Sequence, residues 1–323
     1  MNASRLKQNM INIFKLDWKH FVIDFIQDPG MTIRRIFDVI NQGTSLQKFE
    51  RISRAIFAEE SDYSARYPEE MAYLKSLPQG TIDVVPYPMK GPPTTITVCD
   101  DVVDQLHYVE HRGRKLYFPK TMSKQDCENC YRSLMEGEDI LGKGRVKSPH
   151  SYEDETHFVG EGDVVIDIGS AEGLFALNVA ERAGRIYLFE MLQRWNRPLK
   201  LTFAPFAKKT VIVNKLVSGE TQGDSIRLED AVQDLNHDEV CFIKMDIEGW
   251  EKTVLMASES FLKSHRVKIS CCVYHRQRDA DEISEYLKRI GFKVRFSEGY
   301  MIPPLHRVEP PYFRKGMIYA QNF

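Results

Sequence analysis

No stretch of this chain approaches the roughly 20 uncharged apolar residues that a helix needs to cross a bilayer, which excludes a helical membrane span. Nor does charge of one sign accumulate. Lys and Arg number 44 against 46 Asp and Glu in 323 residues, a formal charge of −2. A dedicated nucleic-acid binder would carry a basic surplus, so no nucleic acid is expected as a partner. Cysteine is scarce: six thiols (Cys99, Cys127, Cys130, Cys241, Cys271, Cys272) are too few to staple a chain of this length. The opening residues MNASRLKQNMINIFKLDWKHF lack the continuous apolar core and small-residue cleavage site of a secretory signal. The expectation is therefore a cytoplasmic protein with reduced thiols. There is no internal repeat and no low-complexity tract. What is present, 42% hydrophobic and 28% charged residues, suits a globular chain of about two domains.

Hydrophobic periodicity divides the chain. Ile11, Phe14, Trp18, Phe21, Val22, Phe25 and Ile26 share one helical face, Ile33, Ile36, Phe37 and Ile40 a second, and Phe49, Ile52 and Ile56 a third. Residues 1–92 are thus expected to form a helical N-terminal extension that packs on itself or serves an oligomer contact. Pro78, Pro86, Pro88 and Gly91-Pro92-Pro93 mark loops. Residues 93–155 read as a connecting, acceptor-side region: a strand near Thr94–Cys99, a hairpin around His111-Arg112-Gly113-Arg114 and a helix over 123–136. From 156 to 323, apolar strand runs at 163–168, 185–190, 210–217, 240–246 and 266–274 alternate with striped helices, and strands at 292–297 and 315–320 follow. That alternation predicts an α/β, mainly parallel, doubly wound sheet.

The chemistry concentrates in VIDIGSAEG, residues 165–173, on a strand–turn–helix. Gly169 permits a sharp turn, and Gly173 a close approach at the helix start. A ligand there would lie at the carboxyl ends of the strands. Glu190 ends the next strand, placed to accept hydrogen bonds from both hydroxyls of a ribose. The spacing is not that of a dinucleotide fingerprint, and Asp167 stands two residues before the first glycine. A carboxylate there would repel a pyrophosphate but suits a ligand bearing an ammonium. S-adenosylmethionine carries an ammonium and a sulfonium and no phosphate, so a methyl donor is favoured over a nicotinamide. Asp167, Gly169, Ser170, Glu172, Gly173 and Glu190 are the expected donor-site residues.

DVVIDIGSAEG, YLFE and FIKMDIEGWE at 242–251 together resemble the FkbM family of S-adenosylmethionine-dependent methyltransferases. The later motif is carried by Lys244, Asp246, Glu248, Gly249 and Glu251; Ala171 replaces a glycine common in methyltransferases. The resemblance covers about 150–320. It implies a class I methyltransferase-like (Rossmann-like) fold with a seven-stranded sheet and O-methylation of a hydroxyl on a sugar, glycan or natural product, but no particular acceptor. Asp246, at a strand end, would orient the acceptor, take its proton or touch a metal; a helix cap is its plainer role. Glu248 shares both readings. His275 follows the fifth strand and could take the acceptor proton, or be an ordinary loop histidine. Asp279 could join Asp246 around Mg2+, although capping a helix with Glu282 as partner explains it as well.

Other features have simpler readings. Lys244 and Glu251 form an ion pair or are solvated, and Trp250 shares a core stripe with Val254. Trp195 is core or near an adenine. His150 and Tyr152 either fold over the donor or belong to a connecting loop. Cys127 and Cys130 lack a second ligand pair and read as helix residues rather than a zinc site. Lys143 to Lys147 is a solvated basic loop or a contact for an anionic acceptor. An N- or C-methyltransferase of the same fold, or a non-catalytic binding or assembly protein, are the competing readings.

Overall fold

A computed structural model describes residues 45–91, 95–140, 144–303 and 309–323. The helices expected at 11–26 and 33–40 lie outside them. The chain divides into two compact units, one running to Tyr87 and including Tyr300–Arg314, the other comprising Pro88–Gly299 and Lys315–Phe323.

The first unit contains helices α1 (Ser45–Ala58), α2 (Glu60–Arg66) and α3 (Pro68–Ser76). Pro68 opens α3, where its fixed φ suits the first turn and its missing N–H is no loss. Ile52 and Ile56, the expected stripe, are buried with Tyr63, Met71 and Leu74. Ile302 and Phe313 complete that core. The late segment thus departs from the contiguous division at 92 and 155, because its apolar residues find their burial among the N-terminal helices.

In the second unit, β1 (Val98–Asp101), β2 (Leu106–His111) and β3 (Arg114–Tyr117) form an antiparallel sheet. Arg112 and Gly113, with φ of 51° and 76°, supply the two left-handed residues of the tight β2–β3 turn. Helix α4 (Lys124–Ser133) starts at a Ser123–Asp126 capping box and runs into a π-helical turn, Leu134–Glu138. Cys127 and Cys130 sit on α4 as free thiols.

The principal sheet contains β4 (Val164–Ile168), β5 (Arg185–Phe189), β6 (Thr210–Val213), β9 (Val240–Met245), β10 (Arg266–Cys272), β11 (Lys293–Phe296) and β12 (Met317–Gln321), in the order β11-β12-β10-β9-β4-β5-β6. The ladders among β6, β5, β4, β9 and β10 are parallel, and β12 is antiparallel to both neighbours. The strand expected over 210–217 breaks at Asn214, whose side-chain amide donates to the Glu190 carbonyl at 3.1 Å; the residues beyond it form β7 (Leu216–Val217), paired with β8 (Ser225–Ile226). Among the described residues, five further helices of this unit are α5 (Leu174–Val179), which stops short of the expected Arg182, α6 (Asn196–Thr202), α7 (Leu228–Ala231), α8 (Glu251–Ala257) and α9 (Glu259–Ser264). A sixth, α10 (Asp279–Arg289), lies between β10 and β11. Every residue of β4 is buried, as expected for a central strand covered on both faces. The chain winds outward from β4 through β5 and β6, then returns to place β9 on β4's other side. The carboxyl ends of β4 and β9 therefore open on the crevice where such sheets bind ligands.

Candidate active site

Strand register sets the first contact. Asp167 of β4 lies directly opposite Lys244 of β9. Their side chains meet at 3.1 Å, both buried, and the Lys244 ammonium also donates to the Gly169 carbonyl at 2.8 Å. Lys244 is thus the partner of Asp167, not of Glu251. Burial pushes the Asp167 carboxyl up, and Lys244 opposes this.

Gly169 turns the chain at φ 79°, and a Cβ there would collide with the Asp246 carbonyl oxygen. Gly173, at φ 78°, faces Phe203 and Leu199, so close packing of the protein itself demands this second glycine. Ala171 takes a left-handed φ of 43° and donates its N–H to Glu190 Oε2 at 3.0 Å. Glu190 Oε1 accepts from the Leu192 N–H at 2.7 Å. One buried carboxylate therefore ties together the turns after β4 and β5, and each oxygen retains a further lone pair.

These turns edge a cavity of about 150 Å³ lined by Glu138, Ser170, Glu172, Lys244, Asp246 and Glu248 among others. Whole-ligand pockets are larger, roughly 300–1,000 Å³, so the enclosed part has room for one end of a larger molecule. Four carboxylates here face one lysine already paired with Asp167. Burial raises Glu172 to about 7 and, with Glu172 nearby, lifts Glu138 well above its usual range. Ser170 Oγ and Asp167 Oδ2 are buried without a hydrogen-bond partner among the described residues. Unfilled acceptors and surplus acid fit the cationic, hydrogen-bond-donating end of S-adenosylmethionine.

Beside this cavity Asp246 follows β9 and gathers three side chains. Tyr152 Oη donates to its Oδ2 at 3.0 Å, His150 Nε2 lies 3.5 Å from the same oxygen, and His275 Nε2 lies 3.3 Å from Oδ1. Burial alone would raise the Asp246 pKa. The hydrogen bond from His150 and the charges of His275 and Lys244 reverse this, holding it well below the usual carboxylate range. His275 is 1% exposed, and its Nδ1 pairs with Glu251 Oε1 at 2.9 Å. Burial works against its charge, but the Glu251 and Asp246 carboxylates prevail and raise its pKa to about 9. That favours an imidazolium, held by Glu251 and Asp246 with Glu248 Oε2 at 3.8 Å, over the neutral proton acceptor, one of the two readings expected from sequence. Glu251, fully buried, also accepts from the Ile247 N–H at 2.9 Å.

Asp279 is not brought to Asp246. Its carboxylate accepts from the Arg276 N–H at 2.8 Å and belongs to neither His/Cys/Asp/Glu group within metal-ligand reach among the described residues. Those groups are His150–Asp246–Cys272 and Asp246–Glu251–His275. The expected Asp279–Glu282 capping box does not form either: Arg278 precedes the helix without a side-chain cap bond, and Glu282 pairs with Lys252 and Arg278. Trp250 is not core but 47% exposed, because it stands before the first turn of α8 rather than on its buried stripe. Trp195 is buried. In the basic loop, Arg145 is buried and donates to the Glu136 carbonyl at 3.1 Å. Sequence reasoning missed Glu138 and left Glu251 without its role. No spacing signals Glu138, whereas Glu251 at least lies within the motif that carries Asp246.

A sheet that starts at its centre, winds outward, returns across a switch point and closes with an antiparallel strand between β10 and β11 defines a class I methyltransferase-like fold. Within it, residues 211–294 match the model of the methyltransferase FkbM domain, the family whose motifs the sequence resembles. Among solved structures, an FkbM methyltransferase from Methylobacillus flagellatus is similar at 19% identity and a TM-score of 0.40, over 50% of this chain and 44% of that one. This chain thus spans less than half of that relative. A precorrin-6y C5,15-methyltransferase from Geobacter metallireducens is similar at 14% identity and a TM-score of 0.33, over 51% of this chain and 81% of that one. A Streptococcus mutans protein described as a putative methyltransferase, in complex with SAH, is similar at 12% identity and a TM-score of 0.34, over 50% of this chain and 90% of that one. No curated protein matches. Among the described residues, no helix is long and apolar enough to cross a membrane.

Proposed function

We propose that this protein transfers a methyl group from S-adenosylmethionine to a hydroxyl of a sugar, glycan or other small-molecule acceptor. The observation that carries the reading is the acid-rich cavity at the ends of β4 and β9, with its unpartnered Ser170 Oγ and Asp167 Oδ2, adjoining a carboxylate kept ionised. When bound, S-adenosylmethionine supplies an electrophilic methyl on a cationic sulfur. Glu138 and Glu172 face the donor's ammonium end. Gly169, Ser170 and Gly173 shape the turn beside it, Asp167 anchors that turn through Lys244, and Glu190 receives the ribose hydroxyls.

Asp246 accepts the hydrogen bond of the acceptor hydroxyl and aims its oxygen at the cavity. A weakly basic carboxylate suffices, because a hydroxyl becomes strongly acidic as its oxygen gains a bond to carbon. Asp246 would take the hydroxyl proton as methylation of the oxygen makes it acidic. His275 works through Asp246, keeping it ionised and oriented, while Glu251 keeps His275 charged. No step requires a metal, and Mg2+ has no support from the placement of Asp279.

The test is calorimetric titration with S-adenosylmethionine and its demethylated product, followed by transfer of labelled methyl to sugar and glycan hydroxyls. Asp246→Asn should retain donor affinity and lose turnover by at least about a hundredfold. Absence of donor binding by the wild type would refute the reading.

A further inference from the structure

The turn after Asp246 points outward as well as into the cavity. Glu248 and Gly249, both at positive φ, swing the chain so that Trp250 emerges 47% exposed. A tryptophan is among the least economical side chains to leave in water, and one beside a reactive centre offers a flat face to a ring-shaped ligand. The Arg276 guanidinium lies 5.8 Å from the centre of its ring. Arg276 directly follows His275 and packs on Gly249, where a Cβ would stand 3.0 Å from its Nε. The two exposed side chains therefore share one shelf, carried by residues adjoining Glu248, which lines the cavity, and His275, which touches Asp246.

Beyond the shelf opens a groove of about 410 Å³ between α8 and the start of α10, lined by Lys252, Met256, Arg276 and Arg278 among others. It is larger than the enclosed donor cavity and falls within the range of ligand sites. Its charges are unequal in availability. Glu282 pairs with both Lys252, at 2.8 Å, and Arg278, at 3.3 Å. The Asp279 carboxylate is held by the Arg276 backbone N–H. The Arg276 guanidinium makes no ion pair among the described residues, although it stands in a groove open to ligand.

We propose that the Trp250–Arg276 shelf is the acceptor-binding site and that the acceptor is a carbohydrate bearing an anionic group, phosphate or carboxylate. The sugar ring lies against Trp250, the anion takes the guanidinium of Arg276, and the groove receives the remainder of the molecule. This rests on the methyltransferase reading of the adjoining cavity and adds the acceptor's chemistry. Arg rather than Lys suits the task, since its planar fork binds phosphate or carboxylate through two parallel hydrogen bonds and already lies over an aromatic ring.

The experiment titrates the protein, saturated with S-adenosylhomocysteine, with glucose 6-phosphate, glucuronate and methyl glucoside, reading intrinsic fluorescence and heat. The two anionic probes should bind at least about tenfold more tightly than the neutral one. Arg276→Gln should abolish that preference without altering donor affinity, and Trp250→Ala should weaken all three probes together. The relative strength of the two anionic probes distinguishes a phosphate from a carboxylate partner. Equal binding of neutral and anionic probes, or a preference that survives Arg276→Gln, overturns the proposal. Failure of S-adenosylhomocysteine to bind the wild type in a prior titration would instead overturn the methyltransferase reading.

Discussion

His275 links the stability of this protein to pH in a direction the geometry dictates. Its imidazole, 1% exposed, lies between Glu251 at 2.9 Å and Asp246 at 3.3 Å. These anions overcome the burial penalty and lift its pKa from 6.5 to about 9. At ~1.4 kcal/mol per unit, the shift corresponds to on the order of 3 kcal/mol of folding free energy. The folded pKa lies above the unfolded one, so the contribution is fully present below about pH 6.5. It fades as pH rises and is gone once pH passes about 9. Glu251→Gln preserves shape and an acceptor oxygen but removes one anion, returning His275 toward its ordinary titration. The variant should lose part of that ~3 kcal/mol near pH 6, because Asp246 and Glu248 still face His275, and the gap should close as pH rises toward about 10. Urea unfolding of both proteins across that range measures the difference, and titrations common to both cancel. A gap that stays constant from about pH 6 to pH 10 would refute the reasoning, since a purely steric loss has no reason to titrate.

Lys244→Met should strand the Asp167 carboxylate and destabilise the fold by about 3–5 kcal/mol, and adding Asp167→Asn should recover much of that in chemical denaturation. Gly169→Ala and Gly113→Ala both place a side chain at positive φ, but only the first meets backbone. The first should therefore destabilise the fold by more than the ~1–2 kcal/mol of the conformational strain alone in chemical denaturation, and equal losses would contradict the collision. Glu172 titrates at about 7 through burial, so donor affinity should rise as pH climbs through that value if its anion meets the ammonium. Calorimetry on Glu172→Gln should find a flatter profile, and an unchanged one would remove Glu172 from the donor contact.

The alternation of apolar strand runs with striped helices, the turn glycine Gly169 and the order of motifs were legible in the sequence because each is a local property of backbone conformation or burial period. So was the nearness of Asp246 to the cavity, since a residue just past a parallel strand's carboxyl end must face the crevice. What the fold alone decided were pairings across elements. Register along two strands 77 residues apart joins Asp167 to Lys244. Tyr152 and His150 reach Asp246 from a segment preceding β4, and no period or spacing encodes that approach. The protonation of His275 depends on two carboxylates converging in a buried space, which turns an expected base into a cation. Trp250 shows the reverse failure: its spacing to Val254 suggested a core stripe, but the left-handed turn at Glu248–Gly249 delays the helix and leaves the ring in solvent. Periodicity reports which residues are buried together when an element is regular, whereas the chemistry of this site arises where the elements end and distant side chains meet.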